Sequence, residues 1–329
     1  IVVGAPAIGM THVANALINV DQALSLPGAA LSKAQIPLIQ SETLNQCDAL
    51  DGLSDGLVDD PRRCKIDYTK MACGVSASPQ CLSSPQITAL KRIVDGVPGK
   101  GGRPLAYGYP LTGGEVGKPI AQFGWDGNHV VRFKGVNGEP NFGDTILQYF
   151  PKTPFATAAS FDFKRDGARL KKELGGDVDT TPNMTRFFAR GGKMILWHGW
   201  SDAILPPQWS IDLHRDILRQ SGKKAKDNLQ FFMMPGVQHC MGGLGADAFG
   251  QIGAAQSGDT AERSVAVALL DWVEKGRKPE SLVGRRDGIM SLYAPNGKTE
   301  RQKLHCAWPK KAVLSGGGDP DKAADYRCK

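Results

Sequence analysis

An aspartate and a histidine each follow an apolar run that is predicted to be a buried strand. Asp202 comes shortly after the run 193–197, and His239 comes shortly after the run 229–234. Loops after neighbouring parallel strands meet at one edge of a sheet and can bring such side chains together. A carboxylate that orients an imidazole, and an imidazole that accepts a proton from a hydroxyl, are two members of a Ser–His–Asp triad. The spacing therefore predicts Asp202 as the acid and His239 as the general base; a turn aspartate and an ordinary loop histidine are the alternatives.

A triad also needs a serine, and one run formally offers it. Residues 52–56, Gly-Leu-Ser-Asp-Gly, fit the G-x-S-x-G pattern of nucleophilic serines. Such a nucleophile lies between an apolar strand and a helix, whereas Ser54 lies among aspartates. Neighbouring carboxylates oppose the ionisation of a hydroxyl. We therefore do not assign Ser54 as the nucleophile.

The same run carries oxygen ligands at short intervals, which suits a hard cation such as Ca²⁺. Its carboxylates would come from Asp48, Asp51 and Asp55, and its backbone carbonyls from Leu53 and Leu57. The spacing differs from that of an EF-hand. The sequence predicts one structural calcium ion here, with a solvated acidic loop as the alternative.

Six of the seven cysteines fall in three pairs that are close in sequence. The chain has no Cys-x-x-Cys, which argues against zinc or thioredoxin-like chemistry. Proximity alone selects, from fifteen possible pairings, the disulfides Cys47–Cys64, Cys73–Cys81 and Cys306–Cys328. Such bridges indicate an oxidising compartment, so we expect a secreted or periplasmic protein. Cys240, beside His239, is left over.

The elements that position these residues are predicted to fall into three parts. Residues 1–9 hold a core strand, residues 10–182 form a Gly- and Pro-rich lid with short helices and the calcium loop, and residues 183–329 contain strand–loop–helix units. In the lid we expect one helix over roughly 33–45 and another with Ser84 as its N-cap, Pro85 at its first position and its end at Asp95. Three strands do not complete a large sheet, so partners of the first strand are expected outside the chain.

Composition excludes two classes of partner. No stretch approaches the 18 or more apolar residues of a membrane span, so no membrane partner is expected. The net charge is +7, but the basic residues are scattered and do not form the clustered face of a nucleic-acid binder. We expect a solvated basic surface and no nucleic-acid partner.

Several motifs together resemble the tannase and feruloyl esterase family, which includes a hydrolase of mono(2-hydroxyethyl) terephthalate. The run from Cys47 to Cys64 is similar to the calcium loop of that family. His-Gly-Trp-Ser-Asp at 198–202 and the pair His239-Cys240 match later family elements in order. The resemblance runs nearly end to end. It implies the α/β class: an α/β-hydrolase core, incomplete in this chain, with a large irregular lid inserted.

The resemblance also implies roles for residues. In the family, a Cys-Ser element pairs with an Asp and a His-Cys element, and a disulfide between the two cysteines brings serine and histidine together. Carried over by position, Asp202 is the acid, His239 the base and Cys240 half of that disulfide. The Cys-Ser element of the family precedes the strand with which this chain begins. The nucleophile and the partner of Cys240 are thus expected in an upstream N-terminal portion of the same protein, and this chain alone is expected to be inactive.

The implied activity is serine-dependent hydrolysis of small aromatic carboxylic esters (galloyl, feruloyl or terephthaloyl) through an acyl-enzyme. Candidates to contact the aromatic acyl group are Trp125, Phe155 and Phe161 of the lid, although aromatic residues of this kind more often belong to the core. His198 either lines the pocket or is a strand-end histidine whose ring nitrogens are satisfied by the backbone. The alternative function is a secreted, calcium-stabilised binding module or pseudoenzyme without catalysis.

Overall fold

The central feature of the computed structural model is a parallel sheet in the order β1-β2-β3, which pairs Val3 with Leu196 and Leu196 with Phe231. The structure describes residues 1–74, 80–116, 124–125, 142–148, 157–251, 260–286 and 301–329. Two antiparallel pairs, β4-β5 and β6-β7, follow towards the C-terminus. The strands are β1 (Val2–Gly4), β2 (Met194–Gly199), β3 (Leu229–Met234), β4 (Ser281–Arg285), β5 (Gln302–Cys306), β6 (Ala312–Leu314) and β7 (Tyr326–Cys328).

Every residue of β2 and β3 is buried. Apolar runs of this kind are typical of parallel strands that helices cover on both faces. The helices are α1 (Met10–Leu24), α2 (Ile36–Cys47), α3 (Ser84–Asp95), α4 (Phe142–Gln148), α5 (Ala168–Val178), α6 (Thr185–Ala189), α7 (Gln208–Asn228, interrupted at Gly222) and α8 (Val265–Lys275). Trp272 of α8 packs on the face of the sheet that contains Trp197, while Ile217 of α7 packs on the face that contains Leu196. The sheet is therefore the middle layer of an α/β sandwich.

In segment 10–182, the predicted lid, helices α1, α2 and α3 pack around a hydrophobic core that also includes Ala203, Leu205 and Trp209 from beyond β2. Helix α3 spans Ser84–Asp95 as predicted, but its N-cap is Ser83, whose side chain forms a capping box with Gln86. Helix α2 begins and ends slightly later than the predicted 33–45, because a short 3₁₀ turn occupies 33–35.

The expectation of short lid helices is wrong for α1, which has fifteen residues. Twelve of the fifteen are buried, including the polar Asn15, Asn19 and Asp21. A helix that is buried almost all round lacks the one-sided apolar pattern by which amphipathic helices are recognised.

The two ends of segment 10–182 lie side by side. The backbone N–H of Thr180 donates to the carbonyl of Ile8 at 2.8 Å. The carboxylate of Asp179 accepts from both the N–H and the hydroxyl of Thr11, at 3.0 and 2.6 Å. The lid thus leaves and rejoins the sheet-bearing part at one place, where Asp179 caps the first turn of α1.

The three predicted disulfides are confirmed, with Cα–Cα distances between 4.8 and 5.6 Å. Cys240 remains a free, half-buried thiol within this chain. In the described ranges, no helix combines the length and the apolar content that a bilayer span requires.

Candidate active site

The ends of β2 and β3 bring the predicted acid and base together. The two strands are adjacent and parallel, so the loops that follow them leave the same edge of the sheet. The backbone N–H of Ser201 donates to the carbonyl of Val237 at 3.0 Å and joins these loops. Nδ1 of His239 lies 2.8 Å from Oδ2 of Asp202. This is the distance of a charge-assisted hydrogen bond.

Asp202 is buried and fully hydrogen-bonded. Its Oδ1 accepts from the backbone N–H groups of Ile204 and Leu205, both at 2.8 Å. Its Oδ2 faces His239 and also Nε2 of His198, at 3.0 Å. Burial by itself would raise the pKa of Asp202, but the hydrogen bonds from the two histidines outweigh it and hold the pKa well below its usual range. The side chain is therefore a carboxylate that can orient an imidazole.

His239 occupies the more open side of the pair, with 21% of its side chain exposed. Burial lowers the pKa of His239, but the hydrogen bonds to Asp202 and Cys240 more than compensate and raise it to about 10. The charged imidazole is thus strongly stabilised by its neighbours. A triad requires this stabilisation when the histidine has accepted a proton.

Cys240 has an unusual backbone conformation, with φ at +65°. Non-glycine residues rarely adopt positive φ, and such outliers persist where the surrounding structure imposes them. The carbonyl of Cys240 accepts from Nε2 of Gln251 at 3.3 Å, and its side chain packs beside the cluster of α8. The loop that carries the base is therefore held in a specific shape on both sides of His239.

Sequence reasoning missed Gln238, which links the base loop to the lid. Gln238 is fully buried, and its Nε2 donates to the carbonyls of Gly114 at 2.8 Å and Val116 at 3.1 Å. Its position next to His239 was the available signal. The lid turn 112–116 and the loop of the base consequently form one unit.

The turn 112–116 is organised by a buried carboxyl group. Oε1 of Glu115 accepts from the backbone N–H groups of Thr112 at 2.6 Å and Gly113 at 3.2 Å, while Oε2 has no hydrogen-bond partner among the described residues. Burial raises the pKa of Glu115 to about 7, although the backbone hydrogen bonds oppose the rise.

The aromatic residues that the sequence predicts to contact the substrate are mostly buried in the hydrophobic core. Trp125 is 3% exposed and belongs to the lid core, and Phe161 is 4% exposed and stacks edge-on against Phe163. Phe155 lies outside the described residues. His198 is completely buried and both of its ring nitrogens are hydrogen-bonded, so its geometry matches a histidine satisfied within the fold.

The acidic loop 48–57 is folded around its own carboxylates. Oδ1 of Asp48 accepts from the backbone N–H groups of residues 55, 56 and 57 at 3.1–3.2 Å, and Oδ1 of Asp51 accepts from the N–H of Leu53 at 3.0 Å. Ser54 is exposed and follows a 3₁₀ turn, with no strand before it. This setting differs from the strand–turn–helix that a G-x-S-x-G nucleophile needs.

The carboxylates of this loop fit a cation in part. Within the described residues, no three His, Cys, Asp or Glu side chains converge in a metal-binding arrangement. Oδ1 of Asp55 and Oδ1 of Asp59 are nevertheless buried and have no hydrogen-bond partner in the part of the chain that the structure describes. Burial raises the pKa of Asp59; the ammonium group of Lys303 opposes this rise, and Asp51 and Asp55 add to it. Asp59, which sequence reasoning missed, therefore joins a space rich in hard oxygen ligands.

A family model described as "Tannase and feruloyl esterase" matches residues 1–329. The chain is 32% identical to an uncharacterised esterase of Xanthomonas campestris pv. campestris, over all of this chain and 60% of the relative. It is 27% identical to the mono(2-hydroxyethyl) terephthalate hydrolase of Piscinibacter sakaiensis, over 96% of this chain and 55% of the relative. It is also 27% identical to a probable feruloyl esterase B-2 of Aspergillus terreus, over all of this chain and 60% of the relative. The chain thus spans 55–60% of the length of these relatives.

Solved structures agree on the fold. Feruloyl esterase B from Aspergillus oryzae superposes on the whole chain with a TM-score of 0.81 at 22% identity, and 63% of that protein is covered. A tannin acyl hydrolase from Aspergillus niger superposes on the whole chain with a TM-score of 0.68 at 20% identity, and 59% of it is covered. These likenesses show the α/β-hydrolase type of fold that the sequence predicts. With the family model matching from end to end, the chain belongs to the tannase and feruloyl esterase family.

Proposed function

We propose that this chain supplies the acid and the general base of a serine carboxylic ester hydrolase that acts on small aromatic esters. The observation that carries the proposal is the 2.8 Å contact between Nδ1 of His239 and the buried carboxylate of Asp202 at the C-terminal edge of the sheet. The substrate class, with galloyl, feruloyl or terephthaloyl acyl groups, is supported by the names of the relatives.

The geometry suits a proton shuttle. Asp202 accepts the Nδ1–H of His239, which leaves Nε2 as the proton acceptor for a hydroxyl nucleophile. The hydroxyl oxygen attacks the ester carbonyl, and the imidazolium then donates its proton to the departing alcohol. In the second half, His239 takes a proton from water and returns it to the nucleophile as the acyl-enzyme is hydrolysed.

We place the nucleophile in a Cys-Ser element outside these residues. The serine of the internal G-x-S-x-G run lies in an exposed loop without a preceding strand. Six of the seven cysteines pair with each other, and Cys240 stands half-buried beside the base. We propose that Cys240 bonds to the cysteine before the nucleophile and so holds serine and histidine together. The isolated chain is then inactive.

We further propose one structural Ca²⁺ in the acidic loop. Asp48, Asp51 and Asp55 would supply carboxylate oxygens and Leu53 and Leu57 backbone carbonyls, with Asp59 beside them as a further carboxylate. Among the described residues, one buried oxygen of each of Asp55 and Asp59 has no hydrogen-bond partner although Lys303 faces both carboxylates, which supports a site rich in oxygen ligands. The bound ion would supply positive charge to clustered carboxylates and take no part in proton transfer. The three disulfides support export to the periplasm or the exterior.

Kinetics on the complete protein test the proposed activity. Hydrolysis of methyl gallate, methyl ferulate and mono(2-hydroxyethyl) terephthalate should be measured for the wild type and three variants. His239→Ala should lower kcat by several orders of magnitude, and Asp202→Asn by roughly 10⁴-fold, because the imidazole loses its orientation.

Ser54→Ala is the matched control and should keep nearly full kcat. If this variant is folded but inactive, the nucleophile lies in the loop 52–56 and its placement outside the chain is wrong. A wild-type protein that is folded and hydrolyses none of the three esters would favour a binding module or pseudoenzyme.

A further inference from the structure

A second histidine contacts the same carboxylate oxygen as the base. His198 lies near the end of β2, pairs with Met233 of β3, and has only 1% of its side chain exposed. Its Nε2 is 3.0 Å from Oδ2 of Asp202 and 3.2 Å from the carbonyl oxygen of Leu205. This arrangement places one imidazole on each side of Oδ2, with His239 towards the open side.

The hydrogen-bond partners of His198 define its tautomer. A carboxylate and a backbone carbonyl only accept hydrogen bonds, so Nε2 of His198 must carry a proton. Its Nδ1 lies 2.6 Å from the hydroxyl oxygen of Ser210, in the first turn of α7. Ser210 is completely buried, and its hydroxyl can donate to an unprotonated Nδ1. A neutral imidazole with its proton on Nε2 satisfies all of these hydrogen bonds.

The four hydrogen-bond donors around Asp202 fix the orientation of its carboxylate group. Two backbone N–H groups hold Oδ1, and the two imidazoles hold Oδ2. Each N–H that donates to Oδ2 withdraws negative charge from it, so His198 and His239 share one acceptor. The N–H of His198 therefore affects both the direction and the strength of the hydrogen bond that His239 receives.

We propose that His198 is a positioning residue for the Asp202–His239 pair: its Nε2–H, set by the hydroxyl of Ser210, orients the carboxylate and limits its basicity towards His239. The inference rests on the proposed roles of Asp202 as acid and His239 as base. His198 acts through Asp202 and does not contact the substrate.

Two other groups face the pair. Cys240 lies beside His239 on the same loop and does not titrate in the complete protein when it forms the proposed disulfide, and Tyr109 comes from the lid, where its hydroxyl donates to the carbonyl of Ile204 at 3.1 Å. Burial raises the pKa of Tyr109, so its hydroxyl stays protonated over the working range of pH. Both groups are kept unchanged in the test, so a shift in the titration of His239 reports on His198.

Loss of the N–H donor should shift the pKa of His239 in a direction that a loss of packing alone would not produce. In His198→Phe, Oδ2 keeps one donor, becomes a stronger acceptor and raises the pKa of His239. A hydrogen bond of ordinary strength corresponds to a shift of about half a unit or more. The acid limb of kcat/KM should move to higher pH by the same amount. Misorientation of the imidazole should lower kcat by about 10- to 100-fold, with KM little changed.

The experiment uses the complete protein and two readouts. The pKa of the His239 imidazole is followed by ¹⁵N NMR, which needs no turnover, and kcat/KM is measured against pH with methyl ferulate. The wild type should show His198 with a protonated Nε2 and a bare Nδ1 at pH 7.5. His198→Gln keeps an N–H donor at the position of Nε2 and should restore most of the wild-type behaviour. Ser210→Ala should give a smaller shift in the same direction as His198→Phe.

His214→Phe is the matched control. His214 is another histidine, on α7, and its ring centroid lies 5.1 Å from that of Phe231. This variant should leave the titration of His239 unchanged. If His198→Phe lowers kcat but leaves the pKa of His239 where it is, or if Nδ1 of His198 proves to be protonated, the proposal is overturned.

The two readouts distinguish a failure of the inference about His198 from a failure of the proposed function. If His198→Phe does not fold, Ser210→Ala and His198→Gln still decide the role of the N–H donor. If the wild type hydrolyses no ester, the proposed function fails, while the NMR titration still decides whether His198 tunes His239.

Discussion

Buried ionisable side chains near the sheet edge differ in how they are compensated. Four hydrogen-bond donors hold the pKa of Asp202 far below its usual range, whereas one oxygen of Glu115 has no partner among the described residues and burial raises its pKa to about 7. The difference in pKa comes from the hydrogen-bond partners and not from burial, since both side chains are buried. A carboxyl group at the centre of a donor set stays charged, and one with few donors binds a proton.

Glu115→Gln should make the protein more stable at alkaline pH. The pKa of Glu115 in the folded state, about 7, lies above its ordinary value of 4.5, so the folded protein binds more protons than the unfolded chain between these values. The stability of the wild type is therefore favoured below about pH 4.5 and falls as pH rises through about 7. The glutamine variant lacks this loss, which amounts to about 3 kcal/mol at most.

Urea denaturation of wild type and Glu115→Gln at pH 5 and pH 8 measures the difference. The free energy of unfolding of the variant, relative to that of the wild type, should increase between pH 5 and pH 8. An equal free energy of unfolding for both proteins at pH 8 would show that Glu115 ionises without cost in its turn.

At the scale of the element, the acidic loop combines a disulfide with side-chain acceptors. The Cys47–Cys64 bridge joins the loop ends, and Asp48 receives the backbone N–H groups of residues 55–57. These contacts order the backbone. Lys303 faces Asp55 and Asp59, but within the described residues one buried oxygen of each lacks a hydrogen bond, and a bound cation would relieve the cost of that burial.

Chelation of Ca²⁺ should lower the Tm of the wild type, because clustered carboxylates then repel one another. In Asp51→Ala the site is already weakened, so chelator should change the Tm much less. Asp67→Ala is the control: Asp67 is an exposed lid aspartate that caps the turn at Thr69, and this variant should keep the wild-type response. An identical melting curve of the wild type with and without chelator would argue against the site.

At the scale of the whole molecule, the C-terminal part and the lid are joined by a buried lysine. Lys303 of β5 is 1% exposed and lies 2.9 Å from Asp55 and 3.7 Å from Asp59, with its ammonium group 4.7 Å from the ring centroid of Tyr326. The attraction between Lys303 and the lid carboxylates joins residues that are about 250 positions apart.

Lys303→Met should destabilise the protein by about 3–5 kcal/mol, because it leaves buried carboxylates without their cation. Lys311→Met is a matched control, since Lys311 pairs with Asp60 at 2.9 Å but is 41% exposed. The loss there should stay below about 1 kcal/mol. Chemical denaturation in chelator measures both values; similar losses for the two variants would contradict the importance of burial.

Thiol titration tests the proposed link between this chain and the nucleophile segment. The isolated chain, denatured without reductant, should show one reactive thiol, because six cysteines are bonded and Cys240 is free. The complete protein should show none. Two thiols in the denatured complete protein would show that Cys240 and the cysteine before the nucleophile are not bonded to each other, and Cys240→Ser should then retain activity.

Local signals along the chain were sufficient for several features. The strand Leu229–Met234, the bounds of α3 and the three disulfides follow from apolar runs, capping residues and proximity in sequence. The order of Asp202 and His239 after two strands likewise predicted their meeting, because neighbouring parallel strands end at one edge. Each of these features depends on residues that are near each other in the chain, or on a single rule of sheet topology.

Other features required the tertiary structure. Nothing in the sequence alone shows that His198 shares a carboxylate oxygen with His239, that Gln238 binds the lid turn, or that Lys303 neutralises the acidic loop. The length of α1 was hidden because the lid surrounds it and removes the contrast between its faces. These outcomes depend on contacts between distant segments, whose geometry is set only when the two layers of helices close over the sheet. Local propensity and spacing therefore determined the elements and the chemistry available, and long-range packing decided which of those groups share a proton, a charge or an acceptor.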